Sequence, residues 1–457
     1  MIHLYNTRTK KIEPFVAINT NAVGMYSCGP TVYDYVHIGN LRTFILGDML
    51  KRTLLINNYT VTHVINITDV GHLTNDTQDS GEDKMEKGSK REGKTAIEIA
   101  SFYTQAFFSD FKELHMLQPN TWAIATEHIP EQVAQISKLI DLGFTYQTSD
   151  GIYYDTTKNS EYGDLIDLKN QSLQSGARVD IGEKKNPHDF ALWKFSNPNE
   201  KRQMEWQTEL GAESDQTRSG FPGWHIECSA MSMKYLGDHF DIHTGGIDLS
   251  RVHHINEIAQ AESITDKKPW VNYWVHGEFL LVKEEKMSKS LGNLFTLNDI
   301  KEKGFSPLAY RLYTLQAHYK KQLNFTWEAI AAAQEGLDRM KRLIHELAPT
   351  GEHNEFRTTF LEKINTDLNM PEAVSLLWKY LKSRDISKQD IAYVDQVFGL
   401  DLLSPTNIIH SKEVDILLEK RNIARKEKNW QESDDLRDQI QQLGFTVLDT
   451  DDGQVIQ

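Results

Sequence analysis

Apolar positions along the chain change period several times, and the changes mark out elements. Residues 23–28, Val-Gly-Met-Tyr-Ser-Cys, form an apolar run that predicts a buried strand, and Gly29-Pro30 ends it. From 38 to 55 the apolar residues recur at helical spacing, and 59–67 returns to β-branched, strand-like chemistry. Strand, turn, helix and strand predict a βαβ unit, the opening of a parallel nucleotide-binding sheet. The charged, glycine-punctuated residues 79–95 predict an exposed loop able to move or to order on binding. A helix is expected over 130–142, closed by Gly143, and the polar stretch 159–218 reads as an insertion with short strands. The sheet resumes near 238–244, and 278–282 is again strand-like.

Past 315 the pattern turns helical, with three-and-four spacing over 329–347 and 356–381. The final fifty or so residues carry a basic helix, an amphipathic helix to Leu443 and a short strand at 445–448. At 457 residues, and about 150 residues per domain, roughly three domains are expected. The fold class is therefore α/β: a Rossmann-type parallel-sheet domain over 1–315 with an insertion at about 115–220, a helical bundle over 316–400 and a small α/β domain over 401–457.

Composition narrows the function classes. Hydrophobic residues at 39% and charged residues at 25% describe a folded globular protein, not a disordered or fibrous one. The N-terminus has no apolar signal region, and no run of about 18 apolar residues occurs, so a cytoplasmic protein without membrane contact is expected. Cys28 and Cys228 are the only cysteines, too few for a disulfide framework. A net charge of −15 argues against indiscriminate coating of nucleic acid. It leaves room for a local basic patch, and one lies at Lys420, Arg421, Arg425, Lys426 and Lys428, ending at Trp430.

Two motifs carry candidate chemistry. Cys28-Gly-Pro-Thr-Val-Tyr-Asp-Tyr-Val-His37-Ile-Gly39-Asn40 falls on the turn between the first strand and its helix. Backbone N–H groups and the helix dipole favour a phosphate there, and His37 and Asn40 supply further donors. Lys286-Met-Ser-Lys289-Ser290 follows a strand-like run. Two lysines on a loop at 286–290 can approach a triphosphate and withdraw, stabilising charge where it develops. Alone, the first motif reads as a helix-capping histidine and the second as a surface loop; together on a nucleotide-type sheet they are specific.

The pair resembles the signature motifs of class I aminoacyl-tRNA synthetases. Within that class, Cys28-Gly-Pro-Thr-Val-Tyr-Asp, Gly223-Trp-His-Ile-Glu-Cys228 and Gly245-Gly-Ile-Asp-Leu with His253-His-Ile-Asn-Glu257 are similar to the cysteinyl-tRNA synthetase family. The resemblance runs over nearly the whole chain, to Arg421-x-x-Ala-Arg425 and Leu436-Arg-Asp. It implies one Zn²⁺ per chain on Cys28, Cys228, His253 and Glu257, a borderline-soft set suited to that ion. It implies a cysteine pocket of Thr68, Trp224 and His243, an adenylate site at Gly39, Gly246, Asp248 and Lys289, and catalysis by His37, Asn40, Lys286 and Lys289. ATP with Mg²⁺, L-cysteine and tRNA(Cys) are the implied partners, with Arg421, Arg425, Lys428 and Trp430 offered to tRNA and no obligatory protein partner.

Each of these residues has a plainer reading: a core tryptophan, a strand-end threonine, a satisfied buried histidine, a turn aspartate, inert buried thiols. The motifs tip the balance. Departures remain at Ile255, where the family segment usually carries a second acid, at Val252 in place of a proline, and in the ending 449–457. Two rivals stand beside this reading: an ATP-dependent ligase that gives cysteine to a small-molecule amine, and a noncatalytic tRNA-binding paralogue.

Overall fold

The computed structural model of the chain describes residues 1–75, 80–163, 165, 183–197, 199, 202–212, 216–282, 284–286, 293–404, 412–442, 447–450 and 453–456. Five strands make the central sheet: β1 (Ala22–Ser27), β2 (Thr60–Ile67), β3 (Thr121–Ile124), β4 (Phe240–Gly246) and β5 (Val271–Gly277). All neighbours are parallel, in the order β5-β4-β1-β2-β3. The chain leaves β1 toward β2 on one side, while β4 closes on its other side. That reversal opens a crevice beyond the carboxyl ends of β1 and β4, the usual ligand position in such sheets.

Alternation along each strand divides the core into two faces. Met25, Ile65, Ile242 and Val275 enter one apolar cluster with helix α1 (Ile38–Ile56), while Tyr26, Val64 and Trp274 enter a second on the opposite face. That opposite face is covered by α2 (Trp224–Leu236) and α3 (His253–Thr265), which bring Cys228 and Ile255 into it. The strand, helix and strand expected over 23–67 are present within a residue or two. The helix expected over 130–142 runs Ile129–Asp141, with Gly143 at φ +77° just after it.

Three expectations need correction. The charged segment is no loop: after strand Ser80–Asp83, residues Lys84–Glu92 form a helix. The Asp83 carboxylate caps it, accepting from the N–H groups of Met85 and Glu86 at 2.7 and 2.9 Å, and Met85 anchors it in the core. One apolar residue among charges gave no readable period. Second, the strand-like run at 278–282 is a strand only over Leu280–Val282, and Glu278 and Phe279 link it to β5. There Arg42 donates to the carbonyls of Glu278 and Phe279 at 2.9 and 2.7 Å. Third, the helical stretch 356–381 is two helices, Asn354–Asn365 and Met370–Ser383. Asp367 and Leu368 between them take φ +53°, and the Asp367 carboxylate is spent on the Tyr5 N–H at 2.8 Å.

The insertion forms an antiparallel sheet in the order Trp206–Thr208, Arg218–Pro222, Phe190–Phe195, Gly151–Tyr154, Thr145–Gln147. The bundle helices Trp327–His345, Asn354–Asn365, Met370–Ser383 and Lys388–Phe398 share the α1-side core, with Leu337, Phe360, Leu377 and Phe398 in the same cluster as Leu46 and Leu50. So the bundle is not a separate hydrophobic unit. Residues 412–456 have their own small core around Val414, Ile440 and Val447, with helices Lys412–Lys426 and Trp430–Gln442 and a hairpin of Val447–Thr450 with Gly453–Ile456.

Candidate functional site

Where β1 ends, Cys28 donates its N–H to the Thr244 carbonyl of β4 at 3.2 Å, and Gly29 donates to Asn66 Oδ1 at 2.8 Å. A Cβ on Gly29 would lie 1.6 Å from the Asn66 carbonyl oxygen, so no other residue fits this turn. The turn holds the Cys28 thiol over the sheet, opposite Cys228 on α2 and His253 and Glu257 on α3. One ligand atom from each of the four lies within 4.8 Å of all the others, and all four residues are buried. His253 and Glu257 share a helix face because they are four positions apart.

The partners are incomplete in a telling way. His253 Nε2 is 3.4 Å from Cys228 Sγ and 3.1 Å from Glu257 Oε1, yet Glu257 Oε1 accepts no hydrogen bond. Its other oxygen meets His243 Nε2 at 2.9 Å. Burial pushes the Glu257 carboxyl well up and, with Cys228 beside it, pushes the Cys28 thiol up as well. Burial also drives His243 and His254 well below their ordinary range, leaving neutral imidazoles, the ligand form. Two thiols, an imidazole and a carboxylate oxygen without a hydrogen bond fit a bound metal cation, which would favour the charged form of each acid.

The structure also brings together residues that sequence reasoning passed over. His254 forms a second possible set with Cys28, His243 and Glu257, and donates or accepts at 2.7 Å with His276. Its signal was the doubled histidine at 253–254. Glu227, fully buried, accepts from Thr68 Oγ1 at 2.9 Å and meets His72 Nε2 at 2.6 Å. Nothing in its sequence position alone marks that role.

Beside the cluster is a cleft of about 680 Å³ whose wall includes Cys28, His37, Asn40, Trp224, Gly246 and Asp248. The Trp224 ring lies 4.4 Å from the His253 ring, centroid to centroid. Thr68 and His243 sit behind this wall, both buried, where they brace Glu227 and Glu257. His37 caps α1: its Nδ1 accepts from the Asn40 N–H at 3.2 Å, and Asn40 Oδ1 accepts from the His37 N–H at 3.3 Å. The plainer capping reading is thus real, and it serves the site. With Nδ1 accepting, a neutral ring carries its proton on Nε2 as a donor. Gly39 lies in the first turn of the same helix.

Lys286 ends the short strand Glu285–Lys286, and Lys289 lies outside the described residues. Among the proposed tRNA contacts, Arg421 is withdrawn from solvent and donates to Asp449 Oδ1 and Gln454 Oε1 at 2.9 and 2.8 Å. Its charge is used inside the small domain. Arg425 also meets Asp449, at 2.9 Å, and is half-buried, whereas Lys428 and Trp430 are exposed.

A parallel sheet with a cleft at its strand reversal, extended by a helical bundle, is the architecture of class I synthetases. Mycobacterium tuberculosis methionyl-tRNA synthetase in complex with methionyl-adenylate superposes with a TM-score of 0.55 over 83% of this chain and 88% of its own, at 14% identity, a likeness of fold alone. Residues 14–335 match the class I (C) tRNA synthetase catalytic domain, and 410–456 match the cysteinyl-tRNA ligase anticodon binding domain. Cysteine–tRNA ligase 1 of Burkholderia lata is 46% identical over 99% of this chain and 96% of its own length, and the cysteine–tRNA ligase of Treponema denticola is 41% identical over 98% of each. The chain belongs to the cysteinyl-tRNA synthetase family. Among the described residues, no helix is long and apolar enough to cross a membrane.

Proposed function

We propose that the chain activates L-cysteine with ATP and joins it to the 3′ end of tRNA(Cys), releasing pyrophosphate and AMP. The buried set of two thiols, an imidazole and a carboxylate beside the cleft carries this reading. Cys28, Cys228, His253 and Glu257 would hold Zn²⁺, their donor types being those it favours. Bound there, zinc supplies a soft Lewis acid that takes a thiol in preference to the hydroxyl of serine, a near isostere that shape alone separates only about a hundredfold.

The chain's own residues do the rest. His243 orients the Glu257 carboxylate, and Trp224 closes the cysteine pocket against His253, with Thr68 and Glu227 bracing the floor. A carboxylate oxygen of cysteine attacks the α-phosphorus in line; the bond to the β,γ unit breaks, and pyrophosphate leaves with the electron pair. The Nε2–H of His37 and the N-terminus of α1, with Gly39 and Asn40, face the phosphates. Lys286 and Lys289 add charge from their loop, Mg²⁺ enters with ATP, and the Asp248 carboxylate beside Gly246 accepts from the ribose. The terminal tRNA ribose hydroxyl then attacks the adenylate carbonyl, and AMP departs.

The match of 410–456 to an anticodon-binding domain favours tRNA over a small-molecule amine as acceptor. Residues 1–315 would hold ATP and cysteine, and 316–400 with 401–457 would meet the tRNA, with Arg425, Lys428 and Trp430 as candidate contacts and Arg421 as their internal support. The deciding assay is attachment of labelled cysteine to a tRNA(Cys) transcript by zinc-replete protein, with serine and a noncognate tRNA as controls. Charging with cysteine alone is expected. Cysteine-dependent ATP–pyrophosphate exchange without charging would mean another acceptor, and neither activity would mean a noncatalytic paralogue.

A further inference from the structure

Activation brings two anions together, the cysteine carboxylate and the α-phosphate, and a fixed cation between them lowers that barrier. Of the described residues lining the cleft, Lys84 is the only lysine or arginine; Asp34 and Asp248 line it too. Lys84 is held in place through its backbone. Its N–H donates to the His72 carbonyl at 2.8 Å, and His72 is itself tied to the buried Glu227 at 2.6 Å. On its other side Asp83 caps the helix that Lys84 begins, and Arg202 pairs with Asp83 and donates to the Gly71 carbonyl.

The side chain lies over the Trp224 ring, with Nζ 5.5 Å from the ring centroid. The same ring contacts His253 at 4.4 Å. One indole therefore separates the ammonium from the set that would hold the substrate thiol, and a cysteine bound by its sulfur has its carboxylate only three bonds from that atom.

We propose that Lys84 is a further catalytic residue, whose ammonium pairs with the cysteine carboxylate as that group approaches the α-phosphate. The proposal rests on the ligase reading above. It assigns Lys84 a part distinct from the lysines at 286–290, since it belongs to a helix start braced by three contacts and acts on the amino-acid side of the reaction.

The test compares wild type, K84M and K84R, all zinc-replete, in cysteine-dependent ATP–pyrophosphate exchange. Binding of cysteine and of cysteamine, which keeps thiol and amine but lacks the carboxylate, is read by thermal shift. K84M is expected to lower kcat about 100-fold, to weaken cysteine, and to leave zinc content and cysteamine binding as in wild type. K84R keeps the charge and is expected to recover kcat to within about tenfold of wild type. Exchange by K84M within about threefold of wild type, or equal loss of cysteine and cysteamine binding, overturns the proposal. If K84M does not fold, K84R decides: a folded K84R as inactive as a zinc-free protein overturns it. No exchange by wild type sinks the ligase reading first, and this proposal with it.

Discussion

Among the described residues, two of the buried clusters of charged and polar side chains are finished to different degrees. Asp48, Arg52 and Arg311 tie α1 to the bundle. Asp48 Oδ2 accepts from Arg52 Nε at 2.8 Å and from Arg311 Nη2, and Asp48 Oδ1 accepts from the Leu117 N–H at 2.7 Å. The remaining guanidinium donors reach carbonyls of Gln396, His115, Leu114 and Phe398 at 2.8, 2.5, 2.9 and 2.6 Å. Gly399 passes so close, at φ +61°, that a Cβ would meet both guanidinium groups at about 3.0 Å. Burial alone would raise the Asp48 carboxyl, but Arg311 and Arg52 hold it below the usual range. The Cys28, Cys228, His253 and Glu257 set is equally buried, yet its carboxyl and its Cys28 thiol are pushed up and a carboxylate oxygen stands without a hydrogen bond. A cluster that satisfies itself is architecture; one that needs an added cation is a site.

Breaking the second cluster should affect chemistry more than folding. Cys228→Ser replaces a soft ligand with a hydroxyl and is expected to lower cysteine-dependent exchange by about 1000-fold or more, with zinc content falling well below one per chain. Near-normal zinc and exchange in that variant would remove the cluster from the function. Breaking the first should do the reverse. Asp48→Asn leaves two buried guanidinium groups without their anion, at a cost of about 3 to 5 kcal/mol, read from the urea midpoint. A loss below about 1 kcal/mol would show that the carbonyl partners alone suffice and that the contrast drawn above is overstated.

A smaller effect sharpens the comparison at its edge. Glu227 touches no proposed ligand atom but holds Thr68 and His72 beneath the pocket. Glu227→Gln keeps the shape and one acceptor, so kcat/KM for cysteine should drop about 10- to 100-fold, with zinc retained. Full activity would make the Thr68, Glu227 and His72 network a packing feature only.

The central sheet and both ends of the site were legible because strand and helix periods in 23–67 are strong and because Cys28, His37, Cys228, His253 and Glu257 sit in compact motifs. What lay hidden had no local signal. Lys84 looked like one charge in a polar run, since Met85 alone anchors its helix. Arg421 read as part of a basic patch because its partner Asp449 is distant in sequence and becomes its neighbour only when the hairpin folds back. The shared core of sheet and bundle was equally invisible, since periodicity identifies an apolar face without naming what covers it.

The smallest expected effect is the acid limb of stability. The Asp48 carboxyl is held below its ordinary value, about 3.9 in an unfolded chain. In the bundle, burial would raise Asp390, but hydrogen bonds from His353, Ser387 and Arg357 bring it to about 2. A depressed folded value contributes stability that is complete above the unfolded value and is lost as pH falls through the folded one. Both groups therefore stabilise fully above about pH 4, and for Asp390 the contribution of about 2 kcal/mol fades between about pH 4 and 2. Asp390→Asn should lower the urea midpoint at pH 6 and flatten its fall on acidification, while leaving cysteine activation at neutral pH intact. An unchanged acid limb in that variant would place the acid sensitivity in other carboxylates. A fall in cysteine activation at neutral pH would instead show that the bundle's own ion network reaches the cleft, through the core it shares with α1.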